Sequence, residues 1–183
     1  MIRQGDQITN PRTGQVMIFL KTGAESNGEL LQMECFSPPT FEREPEHIHP
    51  FQQNSFEIIS GRCIFRLDGK EQVVGPGQSI NIPANVRHHF WNAGDTAAHY
   101  IQEFRPALKI DSFFETFFAL AKDAKLNKKG IPNLFHVSII GLAHKDEIRL
   151  TNPPWALQHI LYKILAPVGK LLGYSANYKS TKT

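Results

Sequence analysis

Apolar and polar residues alternate in short runs between residues 15 and 104, and turn-forming residues separate the runs. Alternation with a period of two predicts strands that bury one face. Asn27-Gly28 and Asp68-Gly69 lie between neighbouring runs, and Asp-Gly between two apolar runs is a strong signal for a hairpin. Strands are predicted at 15–22, 29–36, 54–60, 62–68, 71–74, 78–82, 88–92 and 96–104. Since no helix is predicted between them, they indicate an antiparallel sandwich or barrel.

The apolar spacing changes to the helical one after Pro106. Ser112 and Glu115 have the spacing of a capping box, which predicts the start of a helix. The four phenylalanines within 113–118 follow in that helix, and we expect them to be buried in the monomer or in a dimer interface. A second helix is predicted over 133–146. The fold class is therefore mainly β, with a sandwich or barrel domain at 1–106 and a helical extension at 107–183 that packs on this domain or in a dimer interface.

A third predicted helix opens after Pro153-Pro154, and Pro167 should kink or break it. Its apolar residues recur three or four apart and form one stripe, made of Leu157, Ile160, Leu161, Ile164, Leu165, Val168, Leu171 and Leu172. We expect this stripe to pack on the barrel, on the phenylalanine-rich helix or on a second copy of the chain. A surface helix on an anionic membrane is the alternative, and the sparse lysines disfavour it.

The composition and charge of the chain exclude few classes of protein function. The chain has 183 residues, 41% of them hydrophobic, which is enough for one domain with an appendage. Residues 148–183 carry five basic residues and no acidic one, too thin a basic stripe to predict nucleic-acid binding. No run of 18 apolar residues and no signal peptide is apparent, so we expect a cytoplasmic protein without stable membrane association. Cys35 and Cys63 are expected to be buried, unreactive thiols.

Three of the eight histidines have the spacing of metal ligands. His47 and His49 are two apart, so both rings point to the same face of an extended strand. His88 begins another predicted strand about forty residues later, and a hairpin fold can bring it beside the first pair. Neutral imidazole is the commonest metal ligand, so three converging rings predict a site for a divalent metal ion such as iron, manganese, nickel or zinc.

At these positions the sequence resembles the cupin superfamily. The first cupin motif is Gly-x5-His-x-His-x(3,4)-Glu-x6-Gly, and the spacing from His47 to Gly61 matches it, although Phe41 stands at its opening Gly. The second motif is Gly-x5-Pro-x-Gly-x2-His-x3-Asn, and residues 77–92 match it closely. The resemblance implies a small double-stranded β-helix, or jelly-roll barrel, followed here by helices. It also implies that His47, His49 and His88 hold the metal.

The ligand glutamate of the first motif is replaced by Asn54. An asparagine offers a neutral carbonyl oxygen where glutamate offers an anionic one, so metal affinity should fall and metal selectivity should change. Asn54 itself is a candidate fourth ligand. Gln53, Glu57, and one of Gln102 and Glu103 could take its place, because alternation lets only one of the last two face inward. If Glu103 faces inward, it is the best candidate for a catalytic general base.

These residues lead to three hypotheses about function. The first is a metal-dependent enzyme, resembling dioxygenases or isomerases, that acts on a small molecule inside the barrel. The second is a non-catalytic module that binds or senses a small molecule with a degenerate metal site. The third is a structural homodimer with a vestigial site. A homodimer is expected under all three, and substrate and reaction remain open because cupin barrels host many chemistries.

Overall fold

The computed structural model describes residues 2–40 and 43–180. Phe41, at the start of the first motif, lies outside the described residues. The described strands are β1 (Gln7–Thr9), β2 (Val16–Lys21), β3 (Leu31–Ser37), β4 (His47–Ile48), β5 (Gln53–Ser60), β6 (Cys63–Leu67), β7 (Lys70–Val74), β8 (Ser79–Ile82), β9 (His88–Asn92), β10 (Ala98–Arg105) and β11 (Arg149–Leu150). The described helices are α1 (Ile110–Lys122), α2 (Leu134–Ala143) and α3 (Trp155–Leu171).

Two antiparallel sheets build the barrel. One has the strand order β1-β2-β3-β10-β5-β8, and the other has the order β11-β4-β9-β6-β7. Alternate side chains of both sheets meet in the interior, where Phe56 contacts Phe65 and Phe90 with ring centroids 4.8 and 4.9 Å apart. Burial of such rings is the main stabilising contribution of the core. The mainly β fold, a barrel followed by helices, is therefore confirmed.

The eight predicted strands are all present, with ends that differ by one or two residues. The prediction missed β1, β4 and β11 because segments of two or three residues are too short to show alternation. The turn at Asp68-Gly69 joins β6 to β7, and both residues have positive φ, as the tight hairpin requires. Cys35 and Cys63 are fully buried, and burial raises the pKa of Cys63 to about 12, so both thiols are unreactive as predicted.

Helix α1 begins at Ile110 rather than at a Ser112 cap, so the predicted capping box is wrong. Ser112 lies inside the first turn. The amide of Lys109, at the N-cap position, donates instead to the Glu147 carboxylate at 3.1 Å. A side chain remote in sequence thus satisfies one of the orphan donors of the helix terminus. The phenylalanines of α1 turn toward the barrel, where Phe118 is buried and the others are half-buried.

Helix α3 packs on α2 through close approaches at two glycines. A Cβ at Gly141 would lie 2.6 Å from the Tyr162 ring, and one at Gly169 would lie 2.9 Å from Ile139. The face of α3 that is buried carries Gln158, Tyr162, Ala166 and Gly169. The predicted apolar stripe is instead largely exposed, so the expectation that it packs on the barrel or on the phenylalanine-rich helix is wrong. Its packing on a second copy stays a prediction.

Helix α3 continues through Pro167 to Leu171, so this proline does not break it. Pro167 removes one amide donor, but the helix bonds on both sides of it hold the segment together. Among residues 2–40 and 43–180, no helix combines the length and apolarity that crossing a membrane requires.

The extension also contributes a strand to the barrel. In β11, Arg149 pairs with Ile48 and Leu150 pairs with His47 of β4. The Thr151 hydroxyl donates to the Glu46 carboxylate at 2.8 Å, which fixes the same edge. The short strand that carries the first candidate metal ligand is therefore held on one side by β9 and on the other by the extension.

Candidate metal centre

The three predicted histidine ligands come together inside the barrel. His47 in β4 pairs directly with His88 in β9, and His49 follows β4 immediately. Their ring centroids are 4.5 to 5.1 Å apart, and all three rings are buried. One ligand atom from each lies within 4.8 Å of the others, a spacing that places three imidazoles around one ion.

Each histidine has one ring nitrogen fixed by a main-chain carbonyl. The Nδ1 atoms of His47, His49 and His88 lie 2.9, 2.6 and 2.9 Å from the oxygens of Pro45, Glu147 and Val86. If Nδ1 carries the proton, it donates to the carbonyl, and the Nε2 lone pair is free to bind a metal. Within the described residues, the buried Nε2 of His88 has no hydrogen-bond partner. An orphaned acceptor beside two other imidazoles fits a bound cation.

The site favours neutral imidazole, the form that ligates metals. Burial lowers the pKa of His47 and of His88 to about 4, although hydrogen bonds to Pro45 and Val86 oppose this effect. The pKa of His49 is also well below its usual value, first because of burial and then because of the neighbouring His47 and His88. Protons therefore do not compete with a metal for these nitrogens near neutral pH.

The polar pair beside the histidines is Asn54 and Gln102, both buried. The Gln102 Nε2 donates to the Asn54 Oδ1 at 3.1 Å, and both residues line the same cavity as His47 and His49. Gln102, not Glu103, is thus the inward member of that pair. Ligation of a metal by Asn54 stays a prediction, while Gln53 and Glu57 are exposed on the outer face of the same strand.

Glu103 does not face the interior, so the general-base role proposed for it is corrected. Its carboxylate accepts a hydrogen bond from Gln32 at 2.7 Å and pairs with Arg105 at 3.3 Å on the outer face of β10. The reason is the register of β10, in which Gln102 and Phe104 are buried.

Glu44 is the carboxylate that the sequence interpretation overlooked as a site residue. It lines the cavity with His47 and His49, and its carboxylate accepts a hydrogen bond from the Phe90 amide at 3.4 Å. The residue is solvent-exposed, and the protein packed around its carboxylate raises its pKa, an effect opposed by His88 and by the Phe90 amide. The sequence feature that could have identified Glu44 is its position in an acidic segment, three residues before His47.

A cavity of about 580 Å³ extends from the histidines to the helices. The barrel lines one end, and α1, α2 and the segment 126–132 line the other. Arg12 closes one side by donating to the carbonyls of Asn127 and Lys128. A cavity of this size encloses a molecule the size of a typical drug.

The family model for the cupin domain matches residues 35–102. Two curated proteins are similar over 65 residues at 34% identity, or 36% of this chain: Polyketide synthase CurC of Streptomyces cyaneus, over 42% of its length, and Protein SchB of Streptomyces halstedii, over 47%. The match therefore spans less than half of either curated relative.

Two solved structures are also similar. A predicted oxalate decarboxylase from Thermotoga maritima is 20% identical, with a TM-score of 0.49 over 58% of this chain and 98% of that one. An RmlC-like cupin from Shewanella frigidimarina is 22% identical, with a TM-score of 0.48 over 57% of this chain and 86% of that one.

Proposed function

Because the chain contains a cupin domain, we propose that it is a metal-dependent enzyme that acts on a small molecule bound in the barrel. One observation carries this proposal: three buried imidazoles converge, and main-chain carbonyls hold their Nδ1 atoms rather than their Nε2 atoms. The reaction class we favour is that of an oxygenase or an isomerase. Iron, manganese, nickel and zinc are the candidate metals, since all of them accept imidazole ligands.

His47, His49 and His88 would hold the metal. The chemistry that a divalent metal supplies in such a site is polarisation of an oxygen ligand or activation of dioxygen. The carbonyls of Pro45, Glu147 and Val86 keep the rings oriented, so the donor set is formed before any ligand arrives.

Glu44 is the residue we propose for proton transfer. Its carboxylate lines the cavity beside the histidines, and the surrounding protein raises its pKa toward neutral pH, which suits a group that accepts and releases protons. The Phe90 amide donates to one carboxylate oxygen, Oε1, and we propose that Oε2 meets the substrate. Asn54 and Gln102 supply neutral hydrogen-bonding groups that orient the substrate oxygens.

Metal titration of the full chain tests the proposal. After chelation and dialysis, calorimetry with Fe²⁺, Mn²⁺, Ni²⁺ and Zn²⁺ should give about one ion per chain for at least one metal. The double variant His47→Ala/His49→Ala should lose this binding, and the control His99→Gln should keep it, because His99 lies outside the cluster and pairs with Glu34. Failure of all four metals to bind the folded protein would reject the enzyme proposal.

A non-catalytic binding module is the second candidate, and Asn54 is the observation that favours it. The position expected to carry an anionic ligand carries an amide whose oxygen already accepts a hydrogen bond from Gln102. A neutral fourth position should weaken metal binding. Ligand binding of equal affinity in metal-free and metal-loaded protein would favour this candidate over the enzyme.

A further inference from the structure

The cavity changes character along its length. Its polar groups near the metal centre are His47, His49, Glu44, Asn54 and Gln102. Beyond them the wall is largely aromatic and aliphatic, and most of it belongs to the extension, which lies outside the segment matched by the cupin family model. We infer that the site takes a predominantly apolar, ring-containing molecule with oxygen donors at one end. This inference rests on the proposed function and names its substrate class.

A continuous row of aromatic rings leads from the metal centre to α1. The His49 ring meets Phe104 edge-on at a centroid distance of 4.9 Å, and Phe104 lies 5.9 Å from Phe114. Phe113 continues the row at 5.8 Å from Phe114, and it stacks on Phe117 at 5.7 Å. A flat apolar ligand lying on this row would bury its ring against these faces while its oxygen donors reach the histidines.

Several polar groups farther along the cavity are already committed to the protein. Arg12 holds carbonyls of the 127–128 segment, and Gln15 donates to the Tyr100 hydroxyl. Arg149 donates to the Lys145 carbonyl and stacks on Trp155, and Gln158 donates to the carbonyl of Leu150. A polyol such as a sugar would therefore leave hydroxyl groups unpaired on this wall, which is unfavourable.

The charge of the lining suits an anionic donor group on the ligand. Among the described residues, the cationic side chains lining the cavity are Arg12, Arg43, Lys128, Lys129 and Arg149. Glu44 is the one carboxylate in that described lining. Arg12 and Arg149 also bond to main-chain carbonyls, so the net positive charge of the lining as a whole, rather than a specific ion pair, favours a ligand with a carboxylate or phenolate.

Three probe molecules distinguish binding by the apolar wall from binding by the oxygen-donor end of the ligand. 3-Hydroxy-2-naphthoate and salicylate share one hydroxyl-carboxylate group and differ by one ring, and oxalate has two carboxylates without a ring. Calorimetry with the zinc-loaded full chain should show naphthoate binding at least about tenfold more tightly than salicylate. Equal affinities of the two aromatic probes, or tightest binding of oxalate, would overturn the inference.

Variants of α1 test whether its phenylalanines cause the preference for naphthoate over salicylate. Phe113→Ala/Phe117→Ala should remove most of the naphthoate preference and leave zinc affinity unchanged. Phe51→Ala is the control, since Phe51 is 59% exposed. If the double variant does not fold by circular dichroism, Phe117→Leu, which keeps an apolar side chain but removes the ring, should lower the preference in part. Zinc binding by the wild-type chain without any ring preference would reject the substrate class and leave the metal proposal intact. The metal proposal itself fails if none of the four metals binds the wild-type chain.

The outer face of α3 supports a second, independent inference. Seven large apolar side chains on this face are 37% to 89% exposed, and they are Leu157, Ile160, Leu161, Ile164, Val168, Leu171 and Leu172. They recur three or four residues apart, opposite the face that packs on α2. Such a continuous apolar surface is unusual for an isolated monomer.

We propose that this face binds the same face of a second copy of the chain. Burying seven large apolar side chains on each copy would supply a substantial part of the about 800 Å² that each partner of a standard interface buries. An in-plane membrane helix would turn a charged face toward the lipid headgroups, whereas α3 buries its other face and carries just Lys163 and Lys170 as charged residues. The second copy therefore fits better than a lipid surface.

Sedimentation equilibrium of the full chain tests the interface. The wild-type protein should be dimeric, and Ile164→Glu, at the centre of the face, should be monomeric with an unchanged circular dichroism spectrum. Val73→Glu is the matched control, because Val73 is 61% exposed on the barrel. A monomeric wild-type protein would overturn the proposal, and so would a dimer that survives Ile164→Glu. Co-sedimentation of the wild-type protein with phosphatidylserine vesicles would assign the face to a membrane instead.

Discussion

The barrel and the helical extension line one cavity with different chemistry. The barrel contributes the three imidazoles, the Asn54–Gln102 pair and the Glu44 carboxylate. The extension contributes apolar rings, chiefly those of α1. The donor groups and most of the apolar wall thus come from separate segments of the chain. Substitutions in one segment can therefore leave the residues of the other unchanged.

The two regions are nevertheless mechanically joined at the metal centre. The Glu147 carbonyl, in the extension, fixes the ring of His49, and β11 pairs with the strand that carries His47. A change in the extension can therefore reach the metal ligands without touching them.

Acid should destabilise the metal-free protein through both regions. Burial lowers the pKa of His47, His88 and, in the extension, His144 to about 4, against about 6.5 in an unfolded chain. Between these values the unfolded chain binds protons that the folded chain does not, so stability is complete above pH 6.5 and is lost as the pH falls toward 4. Urea unfolding should show a loss of several kcal/mol.

One variant separates the regions in that pH series. His144→Gln should remove the contribution of the extension and leave that of His47 and His88. Saturating zinc should raise the unfolding free energy without removing the slope, because a bound metal also keeps these imidazoles unprotonated in the folded chain. Stability that stays constant from pH 7 to pH 4.5 in the metal-free protein would contradict this prediction.

Gly141→Val should separate α2 from α3. A Cβ there would lie 2.6 Å from the buried Tyr162 ring, so the variant should lose about 3 kcal/mol of unfolding free energy. Zinc affinity should fall with it if the extension positions His49. Ala143→Val, exposed on the same helix, is the control and should cost about 0.6 kcal/mol. Unchanged zinc affinity in a destabilised Gly141→Val protein would show that the barrel holds the ligands alone.

Asn54→Asp should strengthen metal binding by about tenfold or more, because it adds a negative charge beside the imidazoles without changing the size of the side chain. Gln102 can still donate to the new carboxylate. Calorimetry with Zn²⁺ measures the change, and Gln53→Glu, exposed on the same strand, is the control. Unchanged or weaker affinity would place Asn54 outside the reach of the metal.

Arg12→Met should have the smallest effect. Losing the bonds to the carbonyls of Asn127 and Lys128 should loosen the segment 127–131 at a cost of about 1 kcal/mol. Amide hydrogen exchange should become faster at Gly130 and Ile131, while the sheets keep their protection. Arg3→Met, on the exposed N-terminal segment, is the control. Unchanged exchange in the loop would show that Arg12 does not hold it.

Much of the barrel was predictable because its strands alternate and its turns carry distinctive residues. Two histidine motifs in order also placed His47, His49 and His88 correctly. Which of Gln102 and Glu103 faces the interior was not predictable. A one-residue shift of the strand register exchanges their faces, and neither residue type indicates the register.

The helices were predicted as elements but not in their orientation. Helix α3 is apolar around most of its circumference, so its leucine and isoleucine stripe looked like the buried face. Packing on α2 instead uses Gly169 and Ala166, because small residues let two helix backbones approach closely. The position of Glu44 at the cavity was missed because a loop acid has no periodic signal, and its contact with the Phe90 amide is remote in sequence.

The carbonyl that orients His49 stands 98 residues later in the chain. During synthesis the barrel strands leave the ribosome first, and domains generally begin to fold from the N-terminal side. The ring of His49 can be fixed only after Glu147 has been synthesised. The open edge of β4 can be paired only after β11 has been synthesised. The three histidines are therefore expected to reach their final arrangement late in synthesis, after the barrel strands have formed.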